Sequence, residues 1–239
     1  RSLKLRFHTQ TAGCSLTAQQ PEINIARTGF QGLAAVLGGT QSLHTNSMDE
    51  TLALPSEKAA EIALRTQQLI ACETGVTNVV DPLGGSWFLE ELTNKIEEQA
   101  ENYFDQINEL GGVISAIEKG YFQREIAKAA SDYQEKIDQK KRIVVGVNKF
   151  VNNGETIDIP ILEIGDEAEQ KQYKDLIEMK QNRHAETVEK ALGKVQQACG
   201  RTENLVPLIV EAAKAHATLG EIVDVMKKEF GEWQETAVF

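Results

Sequence analysis

Cysteine is scarce in this chain of 239 residues: Cys14, Cys72 and Cys199 occur, with no Cys-x-x-Cys pair. That excludes a small disulfide framework and points to a reduced, cytoplasmic protein. No apolar run approaches the ~18 residues needed to cross a bilayer and no signal-peptide pattern is read, so neither a membrane span nor secretion is expected. A basic excess is also missing. Lysine and arginine number 25 against 36 aspartates and glutamates, a net charge of −11, which argues against nucleic acid and anionic membranes as partners. The first 80 residues hold six basic and six acidic side chains, so the whole imbalance falls after them. There is no Gly-x-Gly-x-x-Gly phosphate loop, no Ser/His/Asp arrangement and no basic–aromatic patch. What remains is a composition 41% hydrophobic and 26% charged, ordinary for a globular protein and long enough for one large domain or two small ones.

Periodicity predicts a strand over residues 5–10, then a helix whose first turn holds Pro21. Ile23, Ala26, Phe30, Leu33 and Leu37 recur at helical spacing before Gly38-Gly39 stops the pattern. Residues 41–45 read as a second strand, and a second helix runs from Ser56, a good N-cap, to Gly75. Strand, helix, strand, helix within ~75 residues is the rhythm of a parallel sheet. After Gly85 two helical faces follow, Leu92-Ile96-Ala100-Phe104-Ile107 and Phe122-Ile126-Ala129-Tyr133-Ile137, the second ending in a basic turn at residues 140–142. Ile143–Val147 reads as a third strand and residues 152–166 as a linker. Helices are then expected over 167–199, 204–216 and 218–230, the last opened by a Thr218-x-x-Glu221 capping box with Ile222, Met226 and Phe230 on one face.

Chemistry concentrates where each predicted strand ends. Leu5–Cys14 finishes in His8-Thr9-Gln10-Thr11, and Gly38–Glu50 crowds amides, His44 and paired carboxylates into one turn. Strand ends that open into a ligand site have this layout in α/β barrels. Asp49 beside Glu50 suits an acid–base pair, a metal site, a clamp on sugar hydroxyls or a solvated helix start, and the residues alone leave these open. No His/Asp/Glu spacing completes a metal site. His8 and His44 are either substrate donors or structural groups bonded to a neighbouring strand. His184 and His216 read as surface residues, Trp87 and Trp233 as packing anchors. Cys72 and Cys199, on helical faces, read as buried or inert.

His8–Gly13, Leu16–Pro21, Gly38–Glu50, Ala63–Gln68, Val80–Ser86, Val145–Lys149 and Thr218–Ile222 together resemble the large subunit of adenosylcobalamin-dependent acyl-CoA mutases, the methylmalonyl-CoA mutase family with its isobutyryl- and hydroxyisobutyryl-CoA relatives. The resemblance covers nearly the whole chain. It implies an α/β fold: the C-terminal part of a (β/α)8 TIM barrel, with the closing βα units and adjoining helices over residues 1–125, followed by a mostly helical segment over 126–239. The earlier barrel strands, which supply most acyl-CoA contacts, would precede Arg1. The cobalamin-binding module with its Asp-x-His-x-x-Gly motif would be a separate subunit. The expectation is therefore a fragment or one piece of a split enzyme, which self-associates or needs partner chains.

The same resemblance implies adenosylcobalamin as cofactor, an acyl-CoA substrate and a radical carbon-skeleton rearrangement. Glu50 falls on the glutamate that hydrogen-bonds the adenosyl ribose, with Asn46 beside it, and Gly13 and Ala53 fall on positions that approach the cobalamin. Gln10, Gln41 and Asn46 suit such a site because neutral amides bond strongly yet offer no easily titrated proton. Gly13 lets backbone approach a flat macrocycle. Cys14 departs from the family, where a tryptophan is typical, and no adjacent basic residue marks it as a reactive thiol. No catalytic residue is assigned in this stretch. The competing expectations are a non-catalytic assembly subunit, since residues 86–239 resemble a helical scaffold, and a stand-alone barrel hydrolase, which fails on strand count.

Overall fold

The computed structural model describes residues 5–157 and 159–235, leaving residues 1–4, 158 and 236–239 outside the description. The chain forms two compact units that divide between Leu162 and Glu163. The division falls within the expected 152–166 linker, whose described residues hold no strand and no helix before Asp166.

The first unit begins with β1 (His8–Gln10), α1 (Ile23–Leu37), β2 (Ser42–His44) and α2 (Glu57–Glu73). The two strands pair in parallel, with Thr9 opposite Leu43 and Gln10 opposite His44. This is the α/β rhythm read from the sequence, limited among the described residues to one two-stranded sheet. Helix α1 stops where Gly38 and Gly39 were expected to stop it; Gly39 has a φ of +85°, which suits a residue without a Cβ. Ser56 caps α2 by accepting from the Ala59 amide.

The face that α1 buries is not its apolar one. Asn24, Thr28 and Gly32, at four-residue spacing, point inward, whereas Ile23 and Phe30 are 41% and 75% exposed. Gly32 is needed at the closest approach, since a Cβ there would lie 3.1 Å from Ile70 and 3.6 Å from Leu43. Helices α3 (Trp87–Glu109), α4 (Val113–Glu118) and α5 (Tyr121–Asp138) complete the unit's helical part. Helix α5 runs through residues 125 and 126, where a division was expected. Neither α3 nor α5 buries a residue fully, and their apolar faces are exposed: Trp87, Ile96, Phe104 and Ile126 all lie open.

Ile143–Val147 is not a strand. It forms a tight turn closed by a bridge between Val145 and Lys149, with Gly146 at φ +83°. Asn148 makes the turn: its Oδ1 accepts from the Val144 amide, and its Nδ2 donates to the carbonyls of Ile137 and Arg142. Turn chemistry thus outweighs the β-branched run. A Cβ on Gly146 would lie 3.2 Å from Gln20, whose own side chain donates to the Phe150 carbonyl.

The second unit holds α6 (Asp166–Asn182), α7 (Ala185–Cys199), α8 (Leu205–Lys214) and α9 (Leu219–Phe230). The single helix expected over 167–199 breaks at Arg183-His184, both extended. No proline or glycine announces the break. Instead the Arg183 guanidinium reaches Glu221 with both nitrogens, at 2.6 and 2.5 Å, and the His216 carbonyl at 2.9 Å. A continuous helix would carry Arg183 away from these partners. The Thr218–Glu221 capping box is present as expected. Ala191, Val195, Cys199, Ala212 and Ile222 form the buried core, flanked by Leu208, Ile209 and Met226. Phe230, expected on the same face as Ile222, is 58% exposed.

Glu221 is held down to about 2 from an ordinary 4.5, chiefly by its hydrogen bonds from Arg183, against the opposing pull of burial. Because the folded value lies below the unfolded one, the pair's contribution is complete above about pH 4.5 and lost as pH falls toward 2. The side chains are 14% and 26% exposed, so salt should screen part of the effect. Thermal melts followed by circular dichroism should show a midpoint that falls between pH 5 and 2.5 in the parent. In Glu221→Gln it starts lower and its fall is shallower; an equal pH dependence in both would remove the pair from the account.

Candidate functional site

The carboxyl ends of β1 and β2 carry the site. The ladder continues one step past the strands, with the Thr11 amide donating to the His44 carbonyl at 3.0 Å. Thr11 then accepts from the Asn46 amide at 2.9 Å and turns its hydroxyl hydrogen to Asn46 Oδ1 at 3.0 Å. Gln10 Nε2 donates to the same oxygen at 3.2 Å. These two donors fix the Asn46 amide with its nitrogen turned the other way. Asn46 is 2% exposed, and its Nδ2 has no hydrogen-bond partner among the described residues. A buried donor left unpaired costs ~1–3 kcal/mol, so its presence calls for a reason.

Gly13 lies directly in front of that nitrogen. A Cβ at Gly13 would sit 2.8 Å from Asn46 Nδ2 and 3.5 Å from Glu50 Oε1. Glu50 itself is exposed, on the turn that follows β2. Four of the six residues singled out from the sequence therefore meet: Gln10, Gly13, Asn46 and Glu50. Ala53 sits one turn along the same loop, half-buried, its amide bonded to the Asp49 carbonyl. Gln41 does not join them. Its Oε1 accepts from the Phe7 amide at 2.9 Å, at the amino ends of the strands. A three-residue strand is ~10 Å long, and Gln41 precedes the strand that Asn46 follows, so the two face opposite ends.

The paired carboxylates divide their work. Asp49 is fully buried: Oδ1 accepts from the Ser47 hydroxyl at 2.6 Å and Oδ2 from the Ser56 amide at 2.9 Å. It is not a solvated helix start but the pin of the loop that presents Glu50. Adjacency in sequence concealed this, because consecutive residues of a turn point opposite ways. Asn24 was missed too; it lies fully buried beneath both loops, in a helical pattern read only for its apolar residues.

His8 bonds Ser42 across the strands through Nδ1 at 2.6 Å, a structural role. His44 is exposed and lines a cavity of about 210 Å3 with Glu50, Pro55, Leu64 and Gln67. A larger cavity of about 610 Å3, between Val36–Gly39 and the Val76–Thr93 region, is lined by none of the candidate residues. Cys14 and Cys72 are exposed, so of the two helical cysteines Cys199 alone is buried. His184 and His216 lie at the surface as expected. Among the described residues no three His, Cys, Asp or Glu side chains gather as metal ligands, and no helix is long and apolar enough to cross a membrane.

The two strand ends thus bring together amides, one exposed carboxylate and a backbone without a side chain at Gly13. A family model described as methylmalonyl-CoA mutase matches residues 1–232, and the chain belongs to that family. Over 239 residues, the whole of this chain and 42% of the relative, it is 42% identical to the 2-hydroxyisobutanoyl-CoA mutase large subunit of Aquincola tertiaricarbonis. It is 44% identical over 235 residues to the methylmalonyl-CoA mutase of Rhizobium meliloti (strain 1021), covering 97% of this chain and 33% of the relative. Against the methylmalonyl-CoA mutase of Escherichia coli (strain K12) it is 43% identical over 234 residues, 98% of this chain and 33% of the relative. The chain thus spans between a third and about two-fifths of the length of these relatives.

Proposed function

We propose that this chain forms the cofactor-facing wall of an adenosylcobalamin-dependent acyl-CoA mutase, in which the remaining barrel and a cobalamin-binding chain complete the enzyme. The unpaired, buried Asn46 Nδ2 carries this reading. A ribose presents two hydroxyls, each able to donate and accept. Asn46 offers a donor that bonds none of the described residues, and Glu50 a carboxylate acceptor nearby. A side chain at Gly13 would collide with Asn46 Nδ2, so a glycine is what lets this backbone lie against the amide. The donor set therefore fits the adenosyl part of the cofactor. When bound, that group supplies a weak cobalt–carbon bond whose homolysis starts the rearrangement. The chain's own residues bind and orient: Asn46 and Glu50 grip the hydroxyls, Gln10 and Thr11 lock the Asn46 amide, and Gly13 and Ala53 admit the ring face while excluding water.

The parallel pair β1–β2 would be two strands of the mutase barrel, and the exposed apolar faces of α1, α3 and α5 would be covered by the rest of it. Large subunit, in the name of the Aquincola tertiaricarbonis relative, supports a separate partner subunit. The substrate class is an acyl-CoA, read by strands outside this stretch. A cytoplasmic setting belongs to the same proposal, in keeping with three free cysteines. A scaffold role would explain the exposed helical faces but not an orphaned amide opposite a glycine and a carboxylate.

Titration with adenosylcobalamin tests the proposal. The chain alone should show no detectable spectral shift, and tight binding should follow when the barrel portion and the cobalamin-binding chain are supplied. Micromolar or tighter binding to the chain alone, by spectral shift or calorimetry, would overturn it.

A further inference from the structure

We infer that Asn24 is a positioning residue that couples the two ligand-facing loops, so that the Gly13 turn and the Asn46–Glu50 loop take up their geometry together. The inference rests on the reading of those loops as the cofactor wall. Asn24 lies in the first turn of α1 and touches neither Gly13 nor Glu50 through any hydrogen bond of its own. It uses its whole bonding capacity on the loops and on Arg27. Its Nδ2 donates to the Thr17 carbonyl and to the Met48 carbonyl, both at 2.9 Å. Its Oδ1 accepts from the Thr17 amide at 3.1 Å and from Arg27 Nη1 at 2.7 Å. One amide therefore bridges the loop after β1 to the loop after β2.

Each bridged residue is close to the site along the chain. Thr17 follows the turn in which the Leu16 amide bonds the Gly13 carbonyl, and Met48 sits between Asn46 and Glu50. Arg27 strengthens the bridge: it also donates to Thr17 Oγ1 at 2.8 Å and to the Val145 carbonyl at 2.7 Å. Its charge makes the bond to Asn24 a charge-assisted one. Only an asparagine supplies two donors and an acceptor at this reach, since aspartate has no donor when ionised and leucine has neither. Thr11 and Gln10 join the two segments directly through Asn46, while two further anchors act on one loop each. Gln31 holds the first, accepting from the Ala12 amide and donating to Ser15 Oγ, both at 2.6 Å. Asp49 holds the second through Ser47 and Ser56.

Hydrogen exchange on the assembled mutase, together with its adenosylcobalamin affinity, tests the coupling. Asn24→Ala should speed exchange at Gly13–Thr17 and at Asn46–Glu50 together, and weaken adenosylcobalamin by about tenfold, as one to two lost bonds imply. The KM for acyl-CoA should stay within about twofold. Gln31→Met should loosen the first loop alone and Asp49→Ala, which removes both of that residue's acceptors, the second alone. Asn24→Asp, which keeps the shape and the acceptors but loses both donors, should repeat the two-loop effect and serves where the alanine variant does not fold. Faster exchange in one loop only, or evenly throughout the chain, would overturn the coupling, as would unchanged cofactor affinity with both loops loosened. If the parent assembly binds no adenosylcobalamin, the proposed function fails, while the exchange pattern still decides whether Asn24 joins the loops.

Discussion

Glu50→Gln in the assembled mutase should weaken adenosylcobalamin by about ten- to a hundredfold and lower turnover, with a smaller change in the KM for acyl-CoA. Glu50 is the exposed carboxylate at the Gly13 opening, and its Oε1 stands 3.5 Å from where a Gly13 side chain would begin. A hydrogen bond to a charged acceptor is worth roughly 1.5–3 kcal/mol, and glutamine keeps the shape while removing the charge. Because Glu50 is exposed, the substitution should shift thermal stability by no more than about 0.5 kcal/mol. Affinity and turnover at parental levels would take Glu50 out of the site.

Asp49→Ala should do the reverse and act first on the fold. The Ser56 amide and the Ser47 hydroxyl would each lose their acceptor in a buried loop, at roughly 1–3 kcal/mol apiece, giving a loss of about 2–5 kcal/mol by chemical denaturation. Asp49→Asn, which can still accept from Ser56 and donate to Ser47, should cost much less. If alanine leaves stability intact and removes only cofactor binding, then Asp49 and not Glu50 faces the ligand. The two neighbours thus separate by what each variant damages.

How much of this could be read in the residues depends on the kind of signal. The first two strands, α1, α2 and the Thr218–Glu221 box were legible because periodicity and capping are local. The run Ile143–Val147 misled because β-branched residues outnumber the one glycine and one asparagine that decide the turn. The break at Arg183 was invisible, since its cause is a partner 38 residues away. At the site, resemblance picked out Gly13, Asn46, Glu50 and Ala53, and amide chemistry picked out Gln10 and Gln41; the chain brings Gln10, Gly13, Asn46 and Glu50 together. The position of Gln41 before the strand sends it to the opposite end. Asn24 escaped notice, and so did the pinning role of Asp49, because that work is done largely by contacts with backbone atoms, which carry no residue signature. The inward face of α1 escaped for a related reason: Asn24, Thr28 and Gly32 are buried for hydrogen bonding and close approach, and a hydrophobic count ranks them last.

The orphaned amide of Asn46 sets this chain's stability against its use. The folded chain carries a buried donor that bonds none of the described residues, so a ligand that bonds it would relieve a cost already present in the fold. Selection for a sturdier free chain would therefore act early on this corner of the molecule, by replacing the amide, and such a gain would blunt the grip. Efforts to stabilise the chain are better aimed at the core around Val195, where added firmness leaves the strand ends as they are.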